Sequence, residues 1–316
     1  MQDFIPAFQD IVAAHERIRP FIHRTPVLSS ISINQMLDTE LYFKCENFQK
    51  VGAFKFRGAC NAVFSLSEAE ASRGVATHSS GNHAAALALA ARMRKIPSYI
   101  VMPENAPGIK KVAVAGYGAR ITYCEPTLQA REETLERVVR ETGAVFIHPY
   151  NNPLVISGQG TACKELLEDK AGLDCILSPV GGGGLLSGTA LTAMALAPGT
   201  RVFGAEPRNA DDAFQSFHSG NIVPSLNPKT IADGLLTSLG SLTFPLIRKH
   251  VHDILLVDEN TIIEAMRMIW ERMKIVVEPS SSVTLGAIML NPSVFKGKKC
   301  GLILSGGNVD LKKLPF

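Results

Sequence analysis

The chain has 316 residues, of which 46% are hydrophobic and 19% are charged, and its formal net charge is +3 at pH 7. This length exceeds the usual size of one hydrophobic core, so we expect a well-packed globular protein with two domains. The balanced charge, the scattered basic residues and the lack of a long apolar run exclude a nucleic-acid-binding surface and a membrane-spanning helix.

Short apolar segments alternate with longer segments of helical periodicity. Strands are predicted at 41–45, 75–78, 98–102, 119–123, 144–148, 175–179, 201–205, 254–257 and 299–304. Helices are predicted at 53–64, 82–94, 109–115, 128–141, 154–168, 185–196 and 260–273. This alternation is typical of α/β proteins with open, mostly parallel twisted sheets flanked by helices. We expect a small domain at 75–149 and a large domain formed by 1–74 with 150–316.

The cysteines occur singly, without a CxxC pair or a nearby pair of histidines. This pattern predicts buried free thiols in a reducing compartment, which we take to be the cytoplasm, rather than a metal site or disulfides. The cysteines are Cys45, Cys60, Cys124, Cys163, Cys175 and Cys300.

Four consecutive glycines, Gly181, Gly182, Gly183 and Gly184, follow a predicted strand, and a helix is predicted from Leu185. Without side chains, the backbone N–H groups of this tetraglycine turn can approach an anion closely at the positive end of the helix. Four glycines between two regular elements are costly in chain entropy, so the pattern predicts a phosphate site rather than a flexible turn. The spacing matches neither GxGxxG nor GxxxxGK[ST].

A second turn, Ser79–Ser80–Gly81–Asn82, also lies between a predicted strand and a predicted helix. Its N–H groups and two hydroxyls at a helix N-terminus suit a carboxylate. Serine and asparagine are also common N-cap residues. The spacing alone therefore leaves open whether this turn binds a carboxylate or only caps the helix.

Lys55 lies between Phe54 and Phe56, near the start of a predicted helix. It is either a surface lysine whose stem packs on the aromatic rings, or a partly buried, more often neutral amine that acts as a nucleophile toward an aldehyde. A last glycine-bearing turn places Ser305 at a sheet edge where a planar ring could lie.

In this order and at these separations, K-F-R-G at Lys55, S-S-G-N-H at Ser79, the tetraglycine turn and S-G-G-N at Ser305 resemble the fold-type-II pyridoxal phosphate enzymes. Within them, the chain most closely resembles serine racemases and serine/threonine dehydratases, over about residues 15–311. The resemblance implies a tryptophan synthase β-subunit-like fold, a homodimer, a large cofactor-binding domain and a small domain that closes over the substrate.

The resemblance also assigns roles to matching positions. Lys55 is the expected Schiff-base lysine, Phe54 lies beside the ring, and Asn82 binds its phenolic oxygen. The tetraglycine turn, with Leu185, is the expected phosphate site, and Ser305 is the partner of the pyridine nitrogen. The expected contacts of the amino-acid substrate are Ser79, Ser80, Gly81, Asn82, His83 and Arg131. A substrate with a second carboxylate needs a further cation, for which Arg131 is the candidate, although this arginine also fits a solvated helix face.

Two further sites follow from the resemblance. The segment AEPRNADD is similar to a divalent-cation loop, in which Glu206, Asp212 and the backbone oxygen of Ala210 hold Mg²⁺ or Ca²⁺. Other residues match parts of an ATP effector site, although alanines 84 and 85 stand where animal serine racemases carry glycine and glutamine. The matching residues are Lys50, Tyr117, Lys274 and Asn308.

The implied activity is interconversion of L- and D-serine, with β-elimination of serine or threonine to a 2-oxo acid and ammonia. Lys55 and Ser80 would be the catalytic residues on opposite faces of the cofactor. Two alternatives stay open: a hydroxyaspartate or threonine/serine dehydratase with little racemase activity, and a non-catalytic protein that binds phosphate or amino acids.

Overall fold

The computed structural model describes residues 4–79, 81–106 and 108–316. In these ranges the strands are β1 Val27–Leu28, β2 Glu40–Cys45, β3 Val75–His78, β4 Ser98–Pro103, β5 Arg120–Cys124, β6 Val145–Phe146, β7 Cys175–Pro179, β8 Arg201–Pro207, β9 Asp253–Val257 and β10 Lys299–Leu304. The α-helices are α1 Phe8–Ile18, α2 Ile31–Leu37, α3 Lys55–Phe64, α4 Glu68–Arg73, α5 Asn82–Arg94, α6 Gly108–Gly116, α7 Leu128–Thr142, α8 Pro153–Asp169, α9 Gly184–Leu196, α10 Asp212–Ser219, α11 Thr243–His250, α12 Glu259–Met273, α13 Pro279–Leu290 and α14 Pro292–Phe295. Short 3-10 turns lie at Glu46–Phe48, Lys50–Gly52, Arg208–Ala210 and Asp233–Leu235.

The larger sheet has six strands in the order β1-β2-β10-β7-β8-β9. All neighbours are parallel except β1 and β2, which are antiparallel. In the centre, Leu302 of β10 pairs with Phe43 of β2 on one side and Leu177 of β7 on the other, and all three are buried. Helices cover both faces of such a sheet, which is why its central strands are continuous apolar runs.

The smaller sheet has four parallel strands in the order β5-β4-β3-β6. All four lie between Val75 and Phe146, so the chain leaves the larger sheet after β2 and returns to it with β7. The two mainly parallel sheets confirm the predicted α/β class. The bounds of the two domains stay a prediction.

The predicted strands all occur, with ends displaced by a few residues. The largest difference is at 144–148, where the strand comprises only Val145 and Phe146. The sequence did not predict β1, which is two residues long, nor helices such as α1, α11 and α13. All six cysteines are buried and free. None of the helices in the described ranges combines the length and apolarity needed to cross a bilayer.

Close backbone packing fixes the two helices that approach the candidate site. A Cβ on Gly158 of α8 would lie 2.6 Å from the Cα of Gly58 in α3. A Cβ on Gly188 of α9 would lie 2.6 Å from the backbone nitrogen of Gly160 in α8. Glycine is therefore required where α3 and α9 contact α8, because any side chain would force these backbones apart.

A buried group of charges lies beneath α3, and we call it the Arg57 network (Lys44, Glu46, Arg57 and Glu165). Arg57 donates to Glu46 from Nε at 2.7 Å and to Glu165 from Nη1 at 2.9 Å and Nη2 at 2.7 Å. Lys44 donates to Glu165 at 2.7 Å. All four side chains are at most 1% exposed. Two cations and two carboxylates thus satisfy one another inside the protein, as buried charges must.

Candidate active site

The turns singled out in the sequence meet at the carboxyl ends of the strands. Phe54 donates its N–H to the backbone oxygen of Ser305 at 2.9 Å, which joins the Lys55 segment to the turn after β10. Asn308 of that turn donates from Nδ2 to Oδ1 of Asn82 at 2.9 Å, which adds the turn after β3. Ligands of open α/β sheets bind at this edge.

Lys55 begins α3 and is half-buried. Its Nζ donates to the backbone oxygen of Pro149 at 3.0 Å and lies 5.2 Å from the centre of the Phe54 ring. Burial lowers the pKa of the amine to about 8, although the charge of Glu278 acts in the opposite direction. A neutral fraction near physiological pH makes this amine a usable nucleophile and base.

The tetraglycine turn is buried and has no room for side chains. A Cβ on Gly182 would lie 2.3 Å from the ring of Tyr150, and one on Gly181 would lie 3.0 Å from the Cα of Leu235. Gly183 has a φ of +86°, which favours glycine. Tyr150 follows Pro149, so the turn is brought to the same region as the Lys55 amine. The N-terminus of α9, which begins at Gly184, supplies the positive end of a dipole to this turn.

Ser305 directly follows the central strand β10 and is 3% exposed. Its Oγ lies 3.2 Å from Oγ of Ser281, and Ser281 also donates to the backbone oxygen of Gly306 at 2.6 Å. The serine expected to face the ring nitrogen is thus a neutral hydroxyl beside a second serine hydroxyl.

Glu278 lies between the turns after β3 and β10, and it is not among the site residues predicted from the sequence. It is 3% exposed, and it accepts from Nδ2 of Asn82 at 3.0 Å and from the N–H of Asn308 at 3.1 Å. Burial, followed by the charge of Asp233, raises the pKa of its carboxyl to about 7. The sequence signal was a single acidic residue in the apolar segment V-V-E-P, directly before the proline that begins α13.

The turn after β3 contains most of the expected substrate contacts. Ser79 Oγ accepts from the N–H of Gly81 at 3.3 Å, and Gly81 is the N-cap of α5. His83 is buried, with Nε2 placed 3.2 Å from the backbone oxygen of Ile147, and burial lowers its pKa well below the ordinary value. Ser80 lies outside the described residues. The substrate roles of this turn stay predictions.

Arg131, expected to bind a second carboxylate, lies on α7. Its Nε donates to the backbone oxygen of Thr127 at 3.3 Å, and its charge lowers the pKa of His78 at the end of β3, behind the larger effect of burial. Its substrate role stays a prediction.

The expected cation loop connects β8 to α10. Glu206 is buried and accepts from the N–H groups of Ala213 at 2.9 Å and Phe214 at 2.8 Å, so it also caps α10. Asp212 is 4% exposed, and among the described residues neither of its carboxyl oxygens has a hydrogen-bond partner. Burial raises the pKa of Glu206 to about 9 and that of Asp212 to about 6. Among residues 4–79, 81–106 and 108–316, no cluster of three or more His, Cys, Asp or Glu side chains is placed to hold a metal.

Two of the expected effector residues lie next to the site. Asn308 contacts Asn82 at 2.9 Å and donates to the backbone oxygen of Val51 at 2.8 Å. Lys50 precedes Val51, and its Nζ lies 5.9 Å from the centre of the Phe56 ring. Tyr117 follows α6 and Lys274 caps α12. The ATP site stays a prediction.

These features fit a phosphorylated pyridine aldehyde. The tetraglycine turn presents backbone without side chains at the N-terminus of α9, Lys55 offers an amine with a lowered pKa, and Ser305 offers a buried hydroxyl. The chain belongs to the pyridoxal-phosphate dependent enzyme family, whose model matches residues 18–306. It is therefore a pyridoxal phosphate-dependent enzyme, and the alternative of a non-catalytic binder is set aside.

Known relatives cover nearly the whole chain. It is 54% identical to a beta-hydroxyaspartate dehydratase of Paracoccus denitrificans, over 99% of this chain and 99% of that protein. It is 52% identical to a serine racemase of Arabidopsis thaliana, over 96% of this chain and 93% of that protein. The crystal structure of serine racemase from Dictyostelium discoideum superposes with a TM-score of 0.94 at 52% identity, covering 98% of this chain and all of that one.

Proposed function

We propose that this enzyme interconverts L- and D-serine and also converts serine and threonine to a 2-oxo acid and ammonia. The proposal rests on the half-buried Lys55 amine, whose pKa is about 8. Its neighbour Phe54 is hydrogen-bonded to the buried, uncharged Ser305, so the amine and this hydroxyl belong to adjoining segments. The serine racemases among the relatives support the choice of substrate.

Each residue has a defined task in this reaction. Pyridoxal phosphate, when bound, supplies an electron sink that acidifies the α-hydrogen of an amino acid. The Lys55 amine is close enough to neutrality to accept that proton. Ser305 would lie beside the ring nitrogen, and as an uncharged hydroxyl it would not hold a proton there. The bound group would then be a weaker electron sink, which would favour return of a proton to the α-carbon or loss of the β-hydroxyl.

Racemisation needs a proton donor on each face of the α-carbon, whereas elimination needs a base on one face. We assign the second donor to Ser80. In elimination, serine loses water and takes one water back on hydrolysis, so that pyruvate and ammonia are the products.

The test is a Ser80→Ala variant, assayed by chiral chromatography for D-serine and by coupled reduction for pyruvate. We expect racemisation to fall by about 100-fold or more while pyruvate formation from L-serine persists. Full racemisation with reduced pyruvate formation would refute the assignment. Borohydride reduction of the yellow holoenzyme should attach the cofactor to Lys55 and remove its absorption band, and a Lys55→Ala variant is the control.

Dehydration of hydroxyaspartate is the second candidate activity. It is favoured by the dehydratase of Paracoccus denitrificans, which is 54% identical over nearly the full length. A side-by-side assay of L-serine, D-serine, L-threonine and L-threo-3-hydroxyaspartate separates the two. A kcat/KM for hydroxyaspartate far above that for serine, without formation of D-serine, would replace the first proposal by the second.

The remaining features are also proposals. We assign Mg²⁺ or Ca²⁺ to Glu206, Asp212 and the backbone oxygen of Ala210, and the unpartnered carboxyl of Asp212 supports a cation there. We further propose a homodimer in the cytoplasm, ATP as an effector, and closure of residues 75–149 over the substrate. Sedimentation of the holoenzyme and turnover with and without ATP test the dimer and the effector.

A further inference from the structure

An ion pair lies at the edge of the site and joins two distant parts of the chain. Nζ of Lys110, on α6, lies 2.5 Å from Oδ2 of Asp233, in the 3-10 turn before Leu236. The two side chains are 27% and 51% exposed. No pattern in the sequence indicates a role for either residue.

Lys110 and the 3-10 turn that carries Asp233 each lie beside a turn of the candidate site. Nζ of Lys110 lies 4.0 Å from the position of a Cβ on Gly81, in the turn expected to bind the substrate carboxylate. On the other side, the Cα of Leu235 lies 3.0 Å from the position of a Cβ on Gly181. The ion pair thus spans the space between the substrate turn and the tetraglycine turn.

The charges of Lys110 and Asp233 also affect a buried carboxyl inside the site. Asp233 raises and Lys110 lowers the pKa of the buried Glu278, whose carboxyl contacts Asn82. Glu278 in turn acts on Lys55. Lys110 is therefore close enough to influence groups around the reacting amine.

A partly exposed lysine–aspartate pair is weak and readily exchanged, because water screens it and two flexible side chains must be held in place. Lysine presents three donors on a flexible stem, so Nζ can turn from Asp233 to another carboxylate without rebuilding the site. Arg131, by comparison, donates from Nε to a backbone oxygen of its own helix.

We propose that Lys110 determines specificity for amino acids with a side-chain carboxylate, and that Asp233 is its partner when no such ligand is bound. This inference rests on the proposed function only in requiring that the site binds amino acids. The ligand class is that of 2-aminodicarboxylates of aspartate length, with or without a β-hydroxyl.

The test compares L-aspartate with L-2-aminobutyrate, which has the same number of carbons but lacks the second carboxylate. Dissociation constants are measured on the holoenzyme through the absorption of its cofactor. In Lys110→Met we expect the dissociation constant of aspartate to rise about tenfold or more, with less than about a threefold change for 2-aminobutyrate. In Asp233→Asn, the ligand L-aspartate should bind about threefold more tightly, because the side chain at position 233 no longer competes with the ligand carboxylate for Lys110.

The matched control is Lys111→Met, which removes the same charge one residue away. Lys111 contacts the backbone oxygen of Glu104 and lies 5.0 Å from the centre of the Tyr123 ring, so this variant should bind both ligands normally. Equal weakening of both ligands in Lys110→Met, or no weakening of aspartate, overturns the inference. So does selective loss of aspartate in Arg131→Met instead.

Lys110→Met and Asp233→Asn give two separate tests of the inference. If Lys110→Met yields no folded holoenzyme, Asp233→Asn decides alone, and unchanged aspartate binding there overturns the inference. Failure of the proposed function has a different signature. In that case wild-type holoenzyme binds both ligands but forms neither D-serine nor pyruvate from L-serine.

Discussion

Replacing Glu165 by glutamine tests how the lysine-bearing helix is held. Glu165 accepts hydrogen bonds from Lys44 and from both Nη atoms of Arg57, at 2.7–2.9 Å. Arg57 lies two residues after Lys55 on α3, so this carboxylate anchors the segment that presents the amine. The change keeps the shape of the side chain and removes its charge.

The expected loss follows from the charge count. The Arg57 network holds two cations and two carboxylates, and the variant leaves Lys44 and Arg57 to share Glu46. Removing one partner of a buried ion pair costs about 3–5 kcal/mol, which is a large part of the roughly 5–15 kcal/mol that holds a typical protein folded. The second change Lys44→Met restores the balance, and we expect it to recover about half of the loss.

The pH dependence has a definite sign. Burial by itself raises the pKa of Glu165, but hydrogen bonds from His15 and Arg57 and the charges of Arg57 and Lys44 outweigh it, so the pKa lies well below its ordinary value. A lowered pKa contributes stability above the unfolded value of about 4.3, and this contribution is lost as the pH falls below it. The difference between wild type and Glu165→Gln should therefore shrink in acid.

The assay is urea unfolding followed by circular dichroism, with Glu168→Gln as the control. Glu168 lies on the same helix, pairs with Arg24 at 2.9 Å and is 36% exposed, so its loss should cost about 1 kcal/mol or less. For Glu165→Gln we expect the midpoint to fall by about 1 M urea. Equal shifts for the two variants, or a double variant less stable than Glu165→Gln, would refute the argument from uncompensated charge.

Three further outcomes are expected. Gly182→Ala places a methyl group 2.3 Å from the Tyr150 ring, so cofactor affinity should fall by about tenfold or more in an absorbance titration. Burial raises the pKa of the Glu278 carboxyl from 4.5 to about 7, so its ionisation destabilises the fold as the pH rises through that range. Glu278→Gln should therefore stabilise the cofactor-free protein by about 3 kcal/mol at about pH 8 but have little effect at about pH 4. Thermal unfolding at the two pH values measures this difference. Mg²⁺ should raise the melting temperature by a few degrees, chelation should reverse this, and Asp212→Asn should abolish it, because the unpartnered carboxyl of Asp212 would bind the cation.

The local signals identified turns that the structure brings together at one edge of the sheet. Glycine and serine turns after apolar strands are short-range patterns, and the edge of a parallel sheet brings such turns together without further information. Lys55 was recognisable because the aromatic residues beside it and the turns elsewhere matched one family. Helix α13 was missed because its serines, including Ser280 and Ser281, suggest a loop, whereas the structure buries them.

Contacts between distant positions could not be predicted in this way. Lys44 and Glu165 are 121 residues apart, and Lys110 and Asp233 are 123 apart. No periodicity or local spacing links such pairs, because each partner taken alone also fits an ordinary position on a helix, a strand or a turn. The burial of Glu278 could not be predicted for the same reason, since it depends on the turns to which Asn82 and Asn308 belong.

The two charged groups around the site differ in strength, and this predicts separate effects on cofactor and substrate. The Arg57 network is buried and anchors α3, so weakening it should loosen Lys55 and increase cofactor loss on dialysis without altering the preference between aspartate and 2-aminobutyrate. The Lys110–Asp233 pair is partly exposed and faces the substrate turn, so breaking it should alter that preference without increasing cofactor loss. If Glu165→Gln changed the preference as much as Lys110→Met does, the two groups would act as one unit, and Lys110 could not be a separate determinant of specificity.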